Sequence, residues 1–154
     1  MNEGKRFEHN FRRSLPGIIR LYDATNGYSG VANPCDFVYY SYPFMFMIEC
    51  KSVKRHKIYW SAITENQHKQ LDYYDHIYGT TSIIAIEFRE EKECYILPYK
   101  VLKELREQGE KGLSIEMARE LEGVYKIPAE YRIVNCVINE QEFKDILGRI
   151  GMSK

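Results

Sequence analysis

No apolar stretch of this 154-residue chain approaches the length needed to cross a bilayer. The start, Met1-Asn2-Glu3-Gly4-Lys5-Arg6, has no signal-peptide core, so a cytoplasmic protein with no membrane partner is expected. Cysteine is sparse. Cys35, Cys50, Cys94 and Cys136 form no Cys-x-x-Cys pair and have no histidines at zinc-site spacing, which excludes a structural zinc module and leaves reduced core thiols. Net charge is lacking too, because 22 basic and 22 acidic residues cancel. The chain therefore has no overall basic excess of the kind many nucleic-acid-binding proteins carry. Repeats, low-complexity tracts and linkers are absent, so residues 1–154 are expected to form one domain, long enough to bury a core.

The charge that is present is unevenly placed. Residues 1–57 hold nine Lys or Arg against five Asp or Glu, which leaves +4 there and −4 in the remainder. A modest footprint for phosphates thus falls on the N-terminal part. Phe7, Phe11 and Leu15 recur every four residues and predict an amphipathic helix over 3–15, stopped by Pro16-Gly17. Ile18 to Tyr22 reads as a short strand, and residues 23–34 as a loop rich in Gly, Asn and Ser. Phe37-Val38-Tyr39-Tyr40 and Phe44-Met45-Phe46-Met47-Ile48 read as strands around a turn at Ser41-Tyr42-Pro43. Residues 52–63, basic and aromatic, are expected to loop over the charged end of that hairpin. Thr64-Glu65-Asn66-Gln67 is a capping box that opens a helix to about Ile77. Strands follow over 81–88 and 94–97, then a helix over 99–107 after Pro98. A helix over 114–121, a last strand or extended segment over 131–137 and a helix from Asn139 through Leu147 complete the chain. This order predicts an α/β fold with a mixed central sheet flanked by helices.

The hairpin gathers the chemistry at one end. With its turn near residue 42, Asp36 lies across from positions 48 and 49, so the Asp36 and Glu49 carboxylates come within cross-strand reach. Glu49 and Lys51 are two apart and share a face, while Cys35 and Cys50 are expected to point to the other. Charges at strand ends are often merely solvated, and Lys51 alone reads equally as a surface ion pair with Glu49. Phe44 to Ile48, though, is apolar without alternation, which marks a central strand covered on both faces. Three charges at the end of such a strand would be costly unless a site uses them.

Two carboxylates and an ammonium can hold a hard divalent cation and a hydrolytic water, as phosphodiester hydrolysis requires. Asp36 and Glu49 are the expected Mg²⁺ ligands, with the Cys50 main-chain carbonyl as a further oxygen. Lys51 would orient or activate the water and stabilise the transition state as a fixed charge. Glu8 reaches the metal as an outer ligand if the first helix packs beside the hairpin, and is otherwise a solvated acid. Gln67 either touches a metal-bound water or caps Thr64. Lys54, Arg55 and Lys57, with Tyr59 and Trp60, suit a DNA backbone and exposed bases, unless Trp60 packs into the core. Arg12 and Arg13 on the first helix are further candidates for DNA contact. His9, His56, His68 and His76 form no ligand pattern.

The segments Gly4-Lys5-Arg6-Phe7-Glu8, Pro34-Cys35-Asp36-Phe37, Ile48-Glu49-Cys50-Lys51 and Asn66-Gln67-His68-Lys69-Gln70-Leu71 resemble the PD-(D/E)xK nuclease superfamily. Within it they are most similar to the RecU-type Holliday-junction resolvases of Gram-positive bacteria and their phages. Leu113-Ser114-Ile115 is comparable to the Ser-Ile segment that precedes a late helix in those proteins. The resemblance spans most of the chain, and its specific part is Asp…Glu-x-Lys with the Gln. It implies a restriction-endonuclease-like domain and a metal-dependent endonuclease of DNA recombination and repair, using Mg²⁺ with Mn²⁺ as a substitute. Asp36 and Glu49 would be metal ligands, Lys51 catalytic, and Glu8 and Gln67 supporting residues. It also implies a homodimer, since a four-way junction needs two symmetric nicks, and a bacterial cell or phage-infected host.

One departure bears on the substrate. RecU-type enzymes carry a basic stalk ahead of the catalytic Asp, whereas Pro16 to Cys35 holds little positive charge beyond Arg20. The stalk is short or missing. Two alternatives therefore stand beside a resolvase. One is a nuclease of the same chemistry acting on flaps, ends or duplex. The other is a non-catalytic DNA-binding recombination protein, against which the intact Asp36, Glu49 and Lys51 argue.

Overall fold

A computed structural model describes residues 1–22 and 33–154. Most of the loop expected over 23–34, and with it most of the stalk interval, lies outside these residues. In chain order the elements are α1 (Glu3–Ser14), β1 (Ile19–Arg20), β2 (Phe37–Ser41), β3 (Phe44–Val53), β4 (Lys57–Tyr59), α2 (Glu65–Asp75), β5 (Thr80–Phe88) and β6 (Glu93–Pro98). They continue with α3 (Tyr99–Glu107), β7 (Gly112–Ser114), α4 (Ile115–Glu120), β8 (Tyr125–Ile127), β9 (Ala129–Tyr131), β10 (Cys136–Ile138) and α5 (Glu140–Met152). Among the described residues, no helix is long and apolar enough to cross a membrane.

Six strands build the central sheet in the order β1-β2-β3-β5-β6-β8. β3 and β5 run parallel and the other neighbours antiparallel, which is the mixed sheet the sequence predicts. All nine residues of β5 are buried, as expected of a strand covered on both faces. One covering layer is α1 with α5: Phe7, Phe11, Phe143, Ile146 and Leu147 pack on Phe46, Ile48, Ile83 and Ile96. The other is α2, α3 and α4, where Leu71, Leu102, Leu105 and Ile115 meet Met47, Ile84 and Ile86. Each fully buried Leu, Ile or Phe contributes roughly 1.5–3 kcal/mol. This packing, more than helix propensity, holds α1 with its Phe7–Phe11 stripe against the sheet. The Asn2 side chain caps α1 by accepting from the Lys5 N–H at 2.9 Å.

Three expectations need correction. Residues 52–63 do not form a loop over the site. β3 runs on to Val53, and β4 pairs with β7, Ile58 opposite Leu113. The approach is so close that a Cβ on Gly112 would collide with the Ile58 carbonyl, so glycine is required there. Trp60 follows β4 into the core, 7% exposed, and its indole N–H donates to the Glu110 carbonyl at 2.9 Å. The strand or extended segment expected over 131–137 is instead two short strands, β9 and β10, folded into a hairpin. Its turn holds Arg132 to Asn135, where the Arg132 N–H donates to the Asn135 carbonyl at 2.7 Å. Helix ends shift as well: α2 stops at Asp75 and α5 continues to Met152.

Candidate active site

Phe37 of β2 pairs with Ile48 of β3, which sets Asp36 beside Glu49. The Asp36 N–H donates to the Ile48 carbonyl at 3.1 Å, and the Asp36 carboxylate accepts from the Cys50 N–H at 2.8 Å. Both bonds fix the acid where β2 begins. In a strand, the N–H and C=O of one residue point to the same side, so the Cys50 carbonyl also lies on the Asp36 side of β3.

The two-residue period divides the end of β3. Ile48 and Cys50 belong to the α1–α5 layer, whereas Glu49 and Lys51 meet Gln67 from α2. Cys50 thus points away from the acids, as expected. Cys35 does not. It lies before β2 begins, outside the strict alternation, and its side chain packs with Met47 and Trp60 in the α2–α3 layer. Burial pushes the Cys35 thiol up to about 12, which leaves it inert.

Glu49 is 2% exposed. Its Oε1 lies 3.0 Å from Lys51 Nζ and accepts from Gln67 Nε2 at 2.6 Å. Gln67 is the cap of its helix and also reaches the Glu49–Lys51 pair. Its Oε1 accepts the Thr64 N–H at 2.9 Å and lies 3.3 Å from the donating Lys51 Nζ. Thr64 returns the bond by accepting the Gln67 N–H at 3.2 Å, which completes the capping box. The helix cap and the carboxylate–lysine pair are therefore one hydrogen-bonded unit. Lys51 uses two of its three ammonium hydrogens on Glu49 and Gln67 and keeps one for another acceptor.

Burial, with the Asp36 carboxylate beside it, pushes Glu49 up to about 7 against the opposing pull of Lys51. Glu8 is also raised, by burial first and then by Asp36, while Arg20, Lys5 and Lys51 oppose the shift. α1 therefore packs beside the hairpin and brings Glu8 into the same field. The nearest partner of Glu8 is Arg20 of β1, whose Nη2 lies 2.8 Å from its Oε2. Arg20 is the residue missed from the sequence. Nothing local marks it, because its position depends on β1 pairing with the far strand β2.

Asp36 raises both Glu8 and Glu49, so the three carboxylates together leave negative charge that Lys51 and Arg20 only partly offset. All the donors are oxygens, which suits a hard divalent cation. Among the described residues, no three His, Cys, Asp or Glu side chains are close enough to hold a metal by themselves. A small cation that keeps several waters and takes one or two carboxylates fits this arrangement.

The residues expected to contact DNA are spread out. Lys54 and Arg55 are exposed beyond β3, where the Val53 and Lys54 carbonyls accept from the N–H groups of Arg89 and Glu90, both at 3.0 Å. Lys57 Nζ lies 5.2 Å from the ring centroid of the exposed Tyr59. Arg12 donates to the Tyr22 hydroxyl at 2.8 Å, and Arg13 is exposed on α1.

An acid ahead of one strand, Glu-x-Lys on its neighbour and a glutamine on the next helix, over a mixed sheet, define a PD-(D/E)xK-type nuclease. The model of the recombination protein U family matches residues 18–139, and the chain belongs to that family of Holliday-junction resolvases. Its function is accordingly that of a Holliday-junction resolvase in recombination. Glu8 lies outside the matched residues. The fold is similar to that of Hjc, a Holliday junction resolvase from the archaeal hyperthermophile Archaeoglobus fulgidus, with a TM-score of 0.51. The two are 24% identical, over 72% of this chain and 86% of that chain. No curated protein matches the chain.

Proposed function

We propose that the chain is a metal-dependent endonuclease that nicks four-way DNA junctions as a homodimer, with Asp36, Glu49, Lys51 and Gln67 at its centre. The observation that carries this is the single unit in which Lys51 Nζ is held by Glu49 Oε1 at 3.0 Å and Gln67 Oε1 at 3.3 Å, beside Asp36. A divalent cation, Mg²⁺ or in its place Mn²⁺, held by Asp36, Glu49 and the Cys50 carbonyl, would neutralise charge on the phosphate oxygens. The chain's own groups do the rest. Lys51 donates its remaining N–H to the attacking water or to a phosphate oxygen and presents a fixed charge where negative charge develops. Water attacks phosphorus in line as the ester P–O bond breaks; the water gives up one proton to solvent, and the leaving oxygen takes one up from solvent. Gln67 keeps Glu49 and Lys51 in register, and Glu8 supports the site through the shared field. Lys54, Arg55, Lys57, Arg12 and Arg13 contact the DNA backbone as positioning charges. A protein acting on DNA within a bacterial or phage-infected cell works in the cytoplasm.

Labelled four-way junction, flap and linear duplex, each incubated with Mg²⁺ and with EDTA, test this directly. Paired symmetric nicks in the junction alone, lost in EDTA, are expected. Equal cutting of all three substrates would make this chain a general nuclease, and metal-independent binding without cutting would make it a binding protein.

A further inference from the structure

On the sheet face opposite Glu49 and Lys51, a cleft of about 390 Å³ opens between the start of α1, the β5–β6 turn and the β9–β10 turn. Four cations line it: Arg6 of α1, Arg89 and Lys92 of the β5–β6 turn, and Arg132 of the β9–β10 turn. Two carboxylates share it, and neither closes it. Glu87 is held inward by the Ser52 hydroxyl at 2.7 Å and the Tyr131 hydroxyl at 3.4 Å. Glu3 lies 3.3 Å from Arg6 and 4.0 Å from Arg89, with nearly half of its side chain exposed. Exposed pairs of this kind are worth less than about 1 kcal/mol, so an incoming anion displaces them. At the rim, Ile133 and Val134 project from the β9–β10 turn, 103% and 66% exposed.

β3 and α1 connect the cleft to the active site on the other face of the sheet. Ser52 follows Lys51 directly on β3, faces the other way, and accepts a hydrogen bond from Arg89 Nη1 at 3.0 Å. α1 carries Arg6 into the cleft two residues before Glu8. A DNA strand that passed from the hydrolytic centre across the start of α1 would meet four guanidinium or ammonium groups.

We propose that this cleft seats the sugar-phosphate backbone of a junction arm, away from the bond that is cut, and that Ile133 and Val134 lie against bases opened at the branch. The assignment rests on the nuclease reading above. Cations flanking exposed β-branched side chains supply both parts of such a contact, backbone neutralisation and an apolar wedge.

Binding of junction and duplex in EDTA, titrated between about 50 and 200 mM salt, tests the proposal. The variants are Arg6→Gln with Lys92→Asn, and Ile133→Ser with Val134→Ser. Asparagine is chosen at 92 because it accepts the positive φ of 55° found there. All four positions are exposed or at the surface, and urea unfolding checks that each variant keeps its fold. Losing two phosphate contacts should flatten the slope of log K against log salt by about 2 and weaken both substrates at least tenfold, as roughly 0.9 is expected per contact. The tip variant should weaken the junction about tenfold while leaving duplex affinity and the salt slope unchanged. Cleavage by the wild-type chain in Mg²⁺, run in parallel, tests the underlying reading. If the wild type binds and cuts while the charge variant matches it in affinity and slope, the cleft assignment is overturned and the nuclease reading stands. A tip variant that binds the junction like wild type overturns the wedge. A wild type that neither binds nor cuts overturns both the cleft and the nuclease reading.

Discussion

Gln67→Ala removes a helix cap and the proposed support of the Glu49–Lys51 pair with one substitution, so its cost can be worked out in two parts. Glu49, 2% exposed, loses its 2.6 Å donor. Hydrogen bonds to charged groups contribute about 1.5–3 kcal/mol. The Thr64 N–H loses its acceptor, which adds about 0.5–2 kcal/mol. Together these come to about 3 kcal/mol, or about 6–12 °C in melting temperature for a chain of this length. Lys51 also loses its 3.3 Å anchor on Gln67, so the ammonium and Glu49 are no longer held in one geometry. Misplacement of this order costs about 100-fold in rate, equivalent to about 2.7 kcal/mol. Thr64→Ala is the control. It removes only the acceptor of the Gln67 N–H, should cost about 1 kcal/mol, and should leave cleavage within a fewfold of wild type. Urea unfolding and single-turnover cleavage measure the two parts separately. A Gln67→Ala protein that unfolds and cuts like wild type would refute the linkage of cap and site.

The remaining predictions concern pH, backbone fit and metal. Paired hydrogen bonds from Arg119 hold the Glu93 carboxyl at about 2, below its ordinary 4.5, with help from the Tyr95 hydroxyl. Because the folded value is the lower one, this stabilisation is complete above 4.5 and is lost as pH falls toward 2. Solvent screening at the exposed Arg119 keeps this contribution small. Glu93→Gln should therefore be less stable than wild type near neutrality, with the difference vanishing in acid, when both are followed by urea unfolding across that range. Gly112→Ala should destabilise by about 1–3 kcal/mol, since the new methyl meets the Ile58 backbone, which cannot move aside like a side chain. Equal denaturation midpoints for Gly112→Ala and wild type would contradict that close approach. EDTA should stop cleavage while leaving junction binding largely intact, as read by gel shift and by nick formation in the same samples.

The hairpin was legible because its two signals agree. An unbroken apolar run and a short turn fix the register, and a two-residue period then assigns Glu49 and Lys51 to one face. Gln67 was legible as a cap, but its second role needed the tertiary approach of α2 to β3. Cys35 was misplaced because alternation holds only inside a strand, and β2 starts at Phe37. The β4–β7 pair was invisible. Two three-residue strands far apart in the chain leave no periodicity, and Gly112 declares its purpose only once Ile58 lies beside it. Ile133 and Val134 look like strand residues by propensity, yet they form an exposed turn tip between β9 and β10. The charge split between the N-terminal part and the rest hid the basic cleft, because folding brings Arg89, Lys92 and Arg132 from the acidic part beside Arg6.

The most direct test of the account is single-turnover cleavage of a four-way junction by Lys51→Ala, with junction affinity measured on the same preparation. Lys51 should supply the fixed charge at the transition state, so cleavage should fall by about 10³-fold or more while affinity stays within a fewfold of wild type. A Lys51→Ala protein that cuts at the native rate would place the chemistry elsewhere and contradict the assignment of this site.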